Sequence, residues 1–227
     1  MTDHGILFKP EMVRAGRAGL KTQTRRVLPP LPSSDEKYPT VTQLMCRSCG
    51  VGEREFKSDR CRCQPAHLEW TPCSLPRFRI GDRLWTRECW RTASPAYDDL
   101  RPSDMGGDED ILYEADGLDG IRNKGRFRVG MHMPRWASRS TLIITAVRVQ
   151  RLHEISDEDS LAEGVTVAGA TAGTDVDIDG DWWPGGPCRQ YKRLWNSINR
   201  DPGVGWNDNP WVVAYTFTWH NKNIDNL

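Results

Sequence analysis

Residues 140–152, STLIITAVRVQRL, constrain the fold more than any other stretch of the chain. β-Branched side chains crowd the first half and apolar and polar residues alternate in the second, which predicts a long strand with one face turned to a core. A helix follows directly. In ISDEDSLAEGV (155–165), Ser156 stands at the N-cap, and Asp157, Glu158 and Asp159 fill the first turn, where the helix dipole favours negative charge. Gly164 ends it.

Shorter elements surround this pair. GILFKP (5–10) reads as a strand closed by Pro10, EMVRAGRAGLK (11–21) as a short helix, and ILYEAD (111–116) as a further strand. GDRLWTRECW (81–90) alternates, with Leu84, Thr86 and Glu88 on one face and Arg83, Trp85, Arg87 and Cys89 on the other. CRQYKRLWNSINR (188–200) places Tyr191, Leu194, Trp195 and Ile198 at i, i+3, i+4 and i+7 of a helix. NPWVVAYTFTWH (209–220) is a closing strand, with the tail 221–227 expected to fray. Strands that outnumber helices and are separated by long loops predict an α+β fold, a small, partly open β-barrel with two or three packed helices. Residues 29–77 are rich in proline, serine and charge, and read as an insertion rather than as core.

The chain of 227 residues can bury one large core or two small ones. A mean hydropathy of -0.64, with no apolar run approaching ~20 residues, excludes a membrane-spanning helix. The start MTDHGILFKP lacks the apolar stretch of a signal peptide, so a cytoplasmic protein is expected. Net charge is zero, yet charge is segregated. No carboxylate lies between Glu11 and Asp35, where Arg14, Arg17, Lys21, Arg25 and Arg26 accumulate, nor between Asp119 and Glu154, where basic residues from Arg122 to Arg151 do. Such patterning predicts a polyanion site on one face, with ordinary surface ion pairing as the alternative.

Four of seven cysteines fall in the arms Cys46-x2-Cys49 and Cys61-x-Cys63, eleven residues apart. A polar loop of that kind has little else to order it, and four thiolates in a reducing compartment suit a structural Zn²⁺ better than a disulfide framework. The second arm is short, so His67 and Cys73 are alternative ligands. Four thiolates leave no open position for catalysis. Cys89 and Cys188 are read as packing residues. DVDIDGD (175–181) imitates the first half of an EF-hand loop, but Gly186 stands where a bidentate glutamate is needed.

The order GILFKP, GLKTQTRR, GDRLW, a long strand into ISDEDSLAEGV, LWNSIN and NPWVVAYTF resembles the ASCH domain, a PUA-like β-barrel. HMPRWASR is similar to a stretch of the longer versions found in phages and prophages. The resemblance covers roughly residues 5–28 and 79–220, and implies a PUA-like domain made of 1–28 and 78–227, interrupted by the cysteine insertion 29–77. It also implies RNA, a nucleoside or modified nucleic acid as partner. Some small ASCH proteins hydrolyse the amide of N4-acetylcytidine with a lysine and a threonine of a G-x-K-x-x-T-x-R motif and a glutamate of the later helix. These match Lys21, Thr24 and Glu163, and Arg26 takes the motif's arginine.

The residues support that chemistry in outline. On a helical turn, Lys21 and Thr24 share a face, and a lysine whose pKa is lowered by Arg25, Arg26 and partial burial takes the hydroxyl proton. Glu163 then protonates the leaving amine. The same Lys, Thr and Arg set also makes a phosphate-binding loop or a solvated basic face. Arg135 and Trp136 are candidates for nucleic-acid contact, the tryptophan by stacking on a base. Trp85, Trp195 and Trp211 are read as core. Three functions are therefore open: an amidohydrolase, a noncatalytic reader of a modified base, and a ribonuclease acting through the 2′-hydroxyl, with a structural phage component as the bland alternative.

Overall fold

The computed structural model describes residues 2–28, 76–165 and 186–227, and the strand backbones of 42–46 and 68–72. In chain order the elements are β1 (Asp3–Leu7), α1 (Pro10–Arg17), β2 (Gln23–Val27), β3 (Thr42–Cys46), β4 (Leu68–Pro72), β5 (Arg83–Arg87), β6 (Trp90–Thr92), β7 (Ile111–Tyr113), β8 (Thr141–Arg151), α2 (Asp157–Ala162), α3 (Pro187–Ile198) and β9 (Trp211–His220). The fold is mixed α+β. Five strands pair in the order β1-β5-β8-β9-β2, while β3-β4 and β6-β7 make two-stranded ladders. No helix among the described residues is long and apolar enough to cross a membrane.

The chain divides into two compact units, the first formed by Met1–Thr22, Gly81–Ile144 and Phe217–Leu227, the second by Gln23–Ile80 and Thr145–Thr216. In the first unit β1 runs parallel to β5, with Asp3 opposite Arg83 and Leu7 opposite Arg87. β5 in turn runs antiparallel to β8 through Leu84 and Leu142. The alternation read in β5 does not separate a wet face from a dry one, because Leu84, Trp85 and Thr86 are all buried on this interior strand. Pro10 starts α1, where its missing N–H is no loss, and Gly19, at φ +76°, takes the left-handed position just past the helix end. Gly16 lies directly against the Trp219 ring, leaving no room for a side chain.

The tail does not fray. Ile224 is fully buried, and the Asn223 amide donates to the carbonyls of Arg135, Trp136 and Ser138 at 3.1, 3.1 and 2.6 Å. Thr141 Oγ1 donates to the Lys222 carbonyl at 2.9 Å and Arg83 Nη1 to that of Ile224 at 3.2 Å. A single apolar side chain and one satisfied amide anchor a segment whose polar composition reads as disorder.

In the second unit β2 pairs antiparallel with β9, Gln23 opposite Thr216 and Val27 opposite Val212. Ser156 caps α2 as expected, its hydroxyl accepting from the Asp159 N–H at 3.1 Å, and Gly164 follows at φ +86°. The core gathers Leu152, Ile155, Tyr191, Trp195, Trp206 and Val212. Tyr191 and Trp195 of the expected α3 stripe point into it, whereas Ile198 is 39% exposed. The cysteine insertion contains the β3-β4 ladder, in which Cys46 stands opposite Leu68.

Candidate functional site

The stretch read as a helical turn at Lys21 to Arg26 is extended. Gly19 has already released the chain from α1, and the β-branched and arginine residues that follow satisfy their backbone against β9. The helical spacing from which a shared Lys21–Thr24 face was expected is therefore absent.

Each expected residue has a definite place. In the first unit Lys21 has no solvent exposure, and its ammonium lies 5.5 Å from the Phe8 ring centroid. Phe8 packs in turn on Trp219. In the second unit Thr24 is buried opposite Tyr215 of β9. Strand alternation turns it to the face away from Gln23 and Arg25.

Those two side chains, together with residues that sequence reading passed over, build a buried polar cluster. Arg25 is 3% exposed. Its Nη1 donates to Gln23 Oε1 at 2.6 Å and to Glu163 Oε1 at 3.2 Å, and its Nη2 to Asp159 Oδ2 at 2.6 Å. Asp159 also accepts from Arg148 Nη2 at 2.8 and 2.9 Å and from Gln23 Nε2 at 3.1 Å. Tyr191 donates its hydroxyl to Glu163 Oε1 at 3.5 Å, and the Arg25 guanidinium lies 5.8 Å from the Tyr191 ring centroid. One donor is left over: Arg25 Nε is buried and has no hydrogen-bond partner among the described residues.

Electrostatics follow from this packing. Burial pushes the Asp159 carboxyl up, but Arg25, Arg148 and Gln23 together hold it below its ordinary value. Burial raises the Tyr191 hydroxyl far above its ordinary value, and the Glu163 carboxylate adds to the shift, so the phenol stays a donor. Burial lowers the Arg26 guanidinium, while Glu163, Tyr191 and Tyr215 counter it. Arg25, expected as a nucleic-acid contact, thus spends most of its fork on carboxylates.

Gln23, Arg148, Asp159 and Tyr191 were missed for understandable reasons. Asp159 is fully accounted for as a first-turn acid, and Tyr191 as part of an apolar stripe. Only the pairing of β2 with β9 and the packing of α2 bring them to Arg25.

Arg135 and Trp136 lie in the first unit. The Arg135 guanidinium bonds Asp225 at 2.5 and 3.1 Å and Asp3 at 2.8 Å, and those carboxylates raise its pKa. Trp136 is half-buried against the cluster of Trp90, Met105, Met133 and Ala137. A second buried ion pair lies nearby, where Arg139 holds Glu88 through both carboxylate oxygens at 2.9 and 3.0 Å and Asp116 at 2.6 Å.

Cys49, Cys61, Cys63, His67 and Cys73 lie outside the described residues, as does the EF-hand-like stretch. Among the described residues no three His, Cys, Asp or Glu come together to hold a metal ion. Comparison with protein-family models, with curated proteins and with solved structures finds no match to this chain.

Proposed function

We propose that this chain is a cytoplasmic, PUA-like protein of the ASCH type that binds a nucleobase, as a nucleoside or within RNA, through the cluster around Arg25. The observation that carries the reading is the buried, unpartnered Nε–H of Arg25 beside Glu163 and the Tyr191 hydroxyl. A buried donor without an acceptor costs about 1–3 kcal/mol, and a carbonyl oxygen on a base edge would remove that penalty. Glu163 supplies an acceptor for an exocyclic amine, and Tyr191 a ring surface. A carboxylate, a guanidinium and an aromatic ring are the groups by which an unstacked base is read.

A second reading, hydrolysis of an N4-acylated cytidine, rests on the resemblance of GLKTQTRR to the ASCH motif. The resemblance assigns the base to Lys21, the nucleophile to Thr24 and the proton on the leaving amine to Glu163.

One set of measurements tests both. Cytidine and N4-acetylcytidine are titrated into the protein by calorimetry, and acetylcytidine is incubated with it and the product separated by chromatography. Binding that Arg25→Met weakens at least tenfold, with no cytidine formed, supports the reader. Cytidine formed by the native protein and lost in Lys21→Ala and Thr24→Ala makes it an amidohydrolase. Neither binding nor turnover overturns the proposal.

The insertion is proposed to hold a structural Zn²⁺. The β3-β4 ladder fits this, because it pairs Cys46 with Leu68 at the two ends of the sequence segment that carries Cys49, Cys61, Cys63 and His67. Metal analysis of protein purified without chelator is expected to give one zinc per chain.

A further inference from the structure

Two buried arginines of this chain spend their forks on carboxylates, Arg25 on Asp159 and Glu163 and Arg139 on Glu88 and Asp116. Arg128, in the first unit, does not. It is 6% exposed, and its Nη1 and Nη2 donate to the carbonyls of Leu100 and Tyr97 at 3.1 and 2.8 Å. Its Nε–H is buried with no hydrogen-bond partner. Asp98 acts on the guanidinium through space, but its Oδ1 accepts the Arg126 backbone N–H at 2.7 Å. Among the described residues, a cation is thus buried on neutral acceptors alone, which costs free energy until a counter-charge arrives.

A second unpaired donor stands beside it. Arg128 and Trp90 exchange both backbone hydrogen bonds, at 2.9 and 3.0 Å, as a directly opposed antiparallel pair. Side chains of such a pair project from the same face, and the Arg128 guanidinium lies 5.3 Å from the Trp90 ring centroid. Trp90 is fully buried, and its indole Nε1–H also lacks a partner. Guanidinium and indole are donors only, so neither can satisfy the other. The surroundings are apolar: Trp90 clusters with Met105 and Met133, and Tyr97 and Trp136 are partly buried against them.

We propose that this cluster binds a small organic carboxylate with an apolar body, one carboxylate oxygen accepting from Arg128 Nε and the other from Trp90 Nε1. A neutral carbonyl compound satisfies a donor and leaves the charge unmatched. An inorganic oxyanion matches the charge but sets its remaining oxygens against thioether and aromatic surface. A carboxylate on an apolar body meets both conditions, as ligand sites that combine apolar walls with a few placed polar groups do. These residues all belong to the first unit and the Arg25 cluster to the second, so the proposal does not depend on the reading of that cluster.

The test is a titration of the ¹⁵N-labelled protein with benzoate, followed through the indole N–H resonances of the ten tryptophans. The resonance missing from Trp90→Phe identifies Trp90 Nε1, and benzoate is expected to move it downfield in a saturable way. Trp90→Phe keeps the ring and loses the donor, and should weaken benzoate binding about 10- to 150-fold by calorimetry, the range of one hydrogen bond to a charged group. Arg128→Lys keeps the charge but not the Nε–H, and is expected to weaken binding within the same range. Arg193→Ala, at an exposed arginine of the second unit, should bind as the native protein does. The proposal is overturned if benzoate leaves the Trp90 resonance in place, if both variants bind it unchanged, or if Arg193→Ala weakens binding as much as Arg128→Lys. Benzyl alcohol binding as tightly as benzoate would reduce the site to an apolar pocket, and inorganic phosphate doing so would reduce it to a general anion site, and either result overturns it.

Discussion

Replacing Arg25 by methionine removes a cation that touches both carboxylates of the buried cluster. Glu163, with a side-chain exposure of 3%, loses its Arg25 contact and retains the Tyr191 hydroxyl, while Asp159 retains Arg148 and Gln23. Breaking a buried pair from one side typically costs about 3–5 kcal/mol, because the remaining charge is left uncompensated. At roughly 2–4 °C per kcal/mol for a chain of this size, that is a fall in Tm of about 6–20 °C. The double variant Arg25→Met/Glu163→Leu replaces both charges with apolar groups and should recover about 1–4 kcal/mol of the loss. Urea unfolding followed by tryptophan fluorescence suits the measurement, since Trp195 and Trp206 lie in the core of the same unit. A single-variant loss below about 1 kcal/mol, or a double variant no better than the single, would show that the Arg25–Glu163 contact is not a coupled buried pair.

Three further outcomes follow from the same structure. The folded pKa of Asp159 lies below its ordinary 3.8, so its contribution is full above that value and is lost as pH falls through the folded pKa. Asp159→Asn should therefore be less stable at neutral pH, yet show a flatter acid limb in unfolding curves taken between pH 5 and 2. Ile224→Ala deletes a fully buried side chain and is expected to cost about 2–5 kcal/mol by chemical denaturation, where a frayed tail would give no change. Ser156→Ala removes the α2 cap and should cost ~0.5–2 kcal/mol, an effect absent in Ser156→Asp, which caps equally well.

Much of the fold is legible in the chain because the signals are local. The β8 strand, the Ser156 cap, Pro10 and Gly19 around α1, and the Tyr191–Trp195 stripe each depend on residues within a turn or two of one another. Local periodicity says which side of an element is apolar, and it identified these elements within a few residues. It failed at Lys21 to Arg26, where the helical and extended readings are equally allowed until β9 arrives to pair, and at β5, where burial on both faces conceals the alternation.

The candidate site shows the same division. The motif residues Lys21, Thr24, Arg25 and Glu163 were marked by type and order alone, but their partners were not. Arg25 and Asp159 are 134 residues apart in the chain and 2.6 Å apart in space. A surface arginine and a phosphate-binding one look alike in sequence, since only tertiary packing removes water and obliges a guanidinium to find carboxylates. The same applies to the tail, whose polar letters read as disorder until Ile224 is buried. Sequence by itself determined the elements, their caps and the segregation of charge, because those obey local sterics and composition. The tertiary structure alone decided which charges meet, which donors stay unpaired and which side chains face solvent, because desolvation and long-range pairing act only once distant segments are packed together.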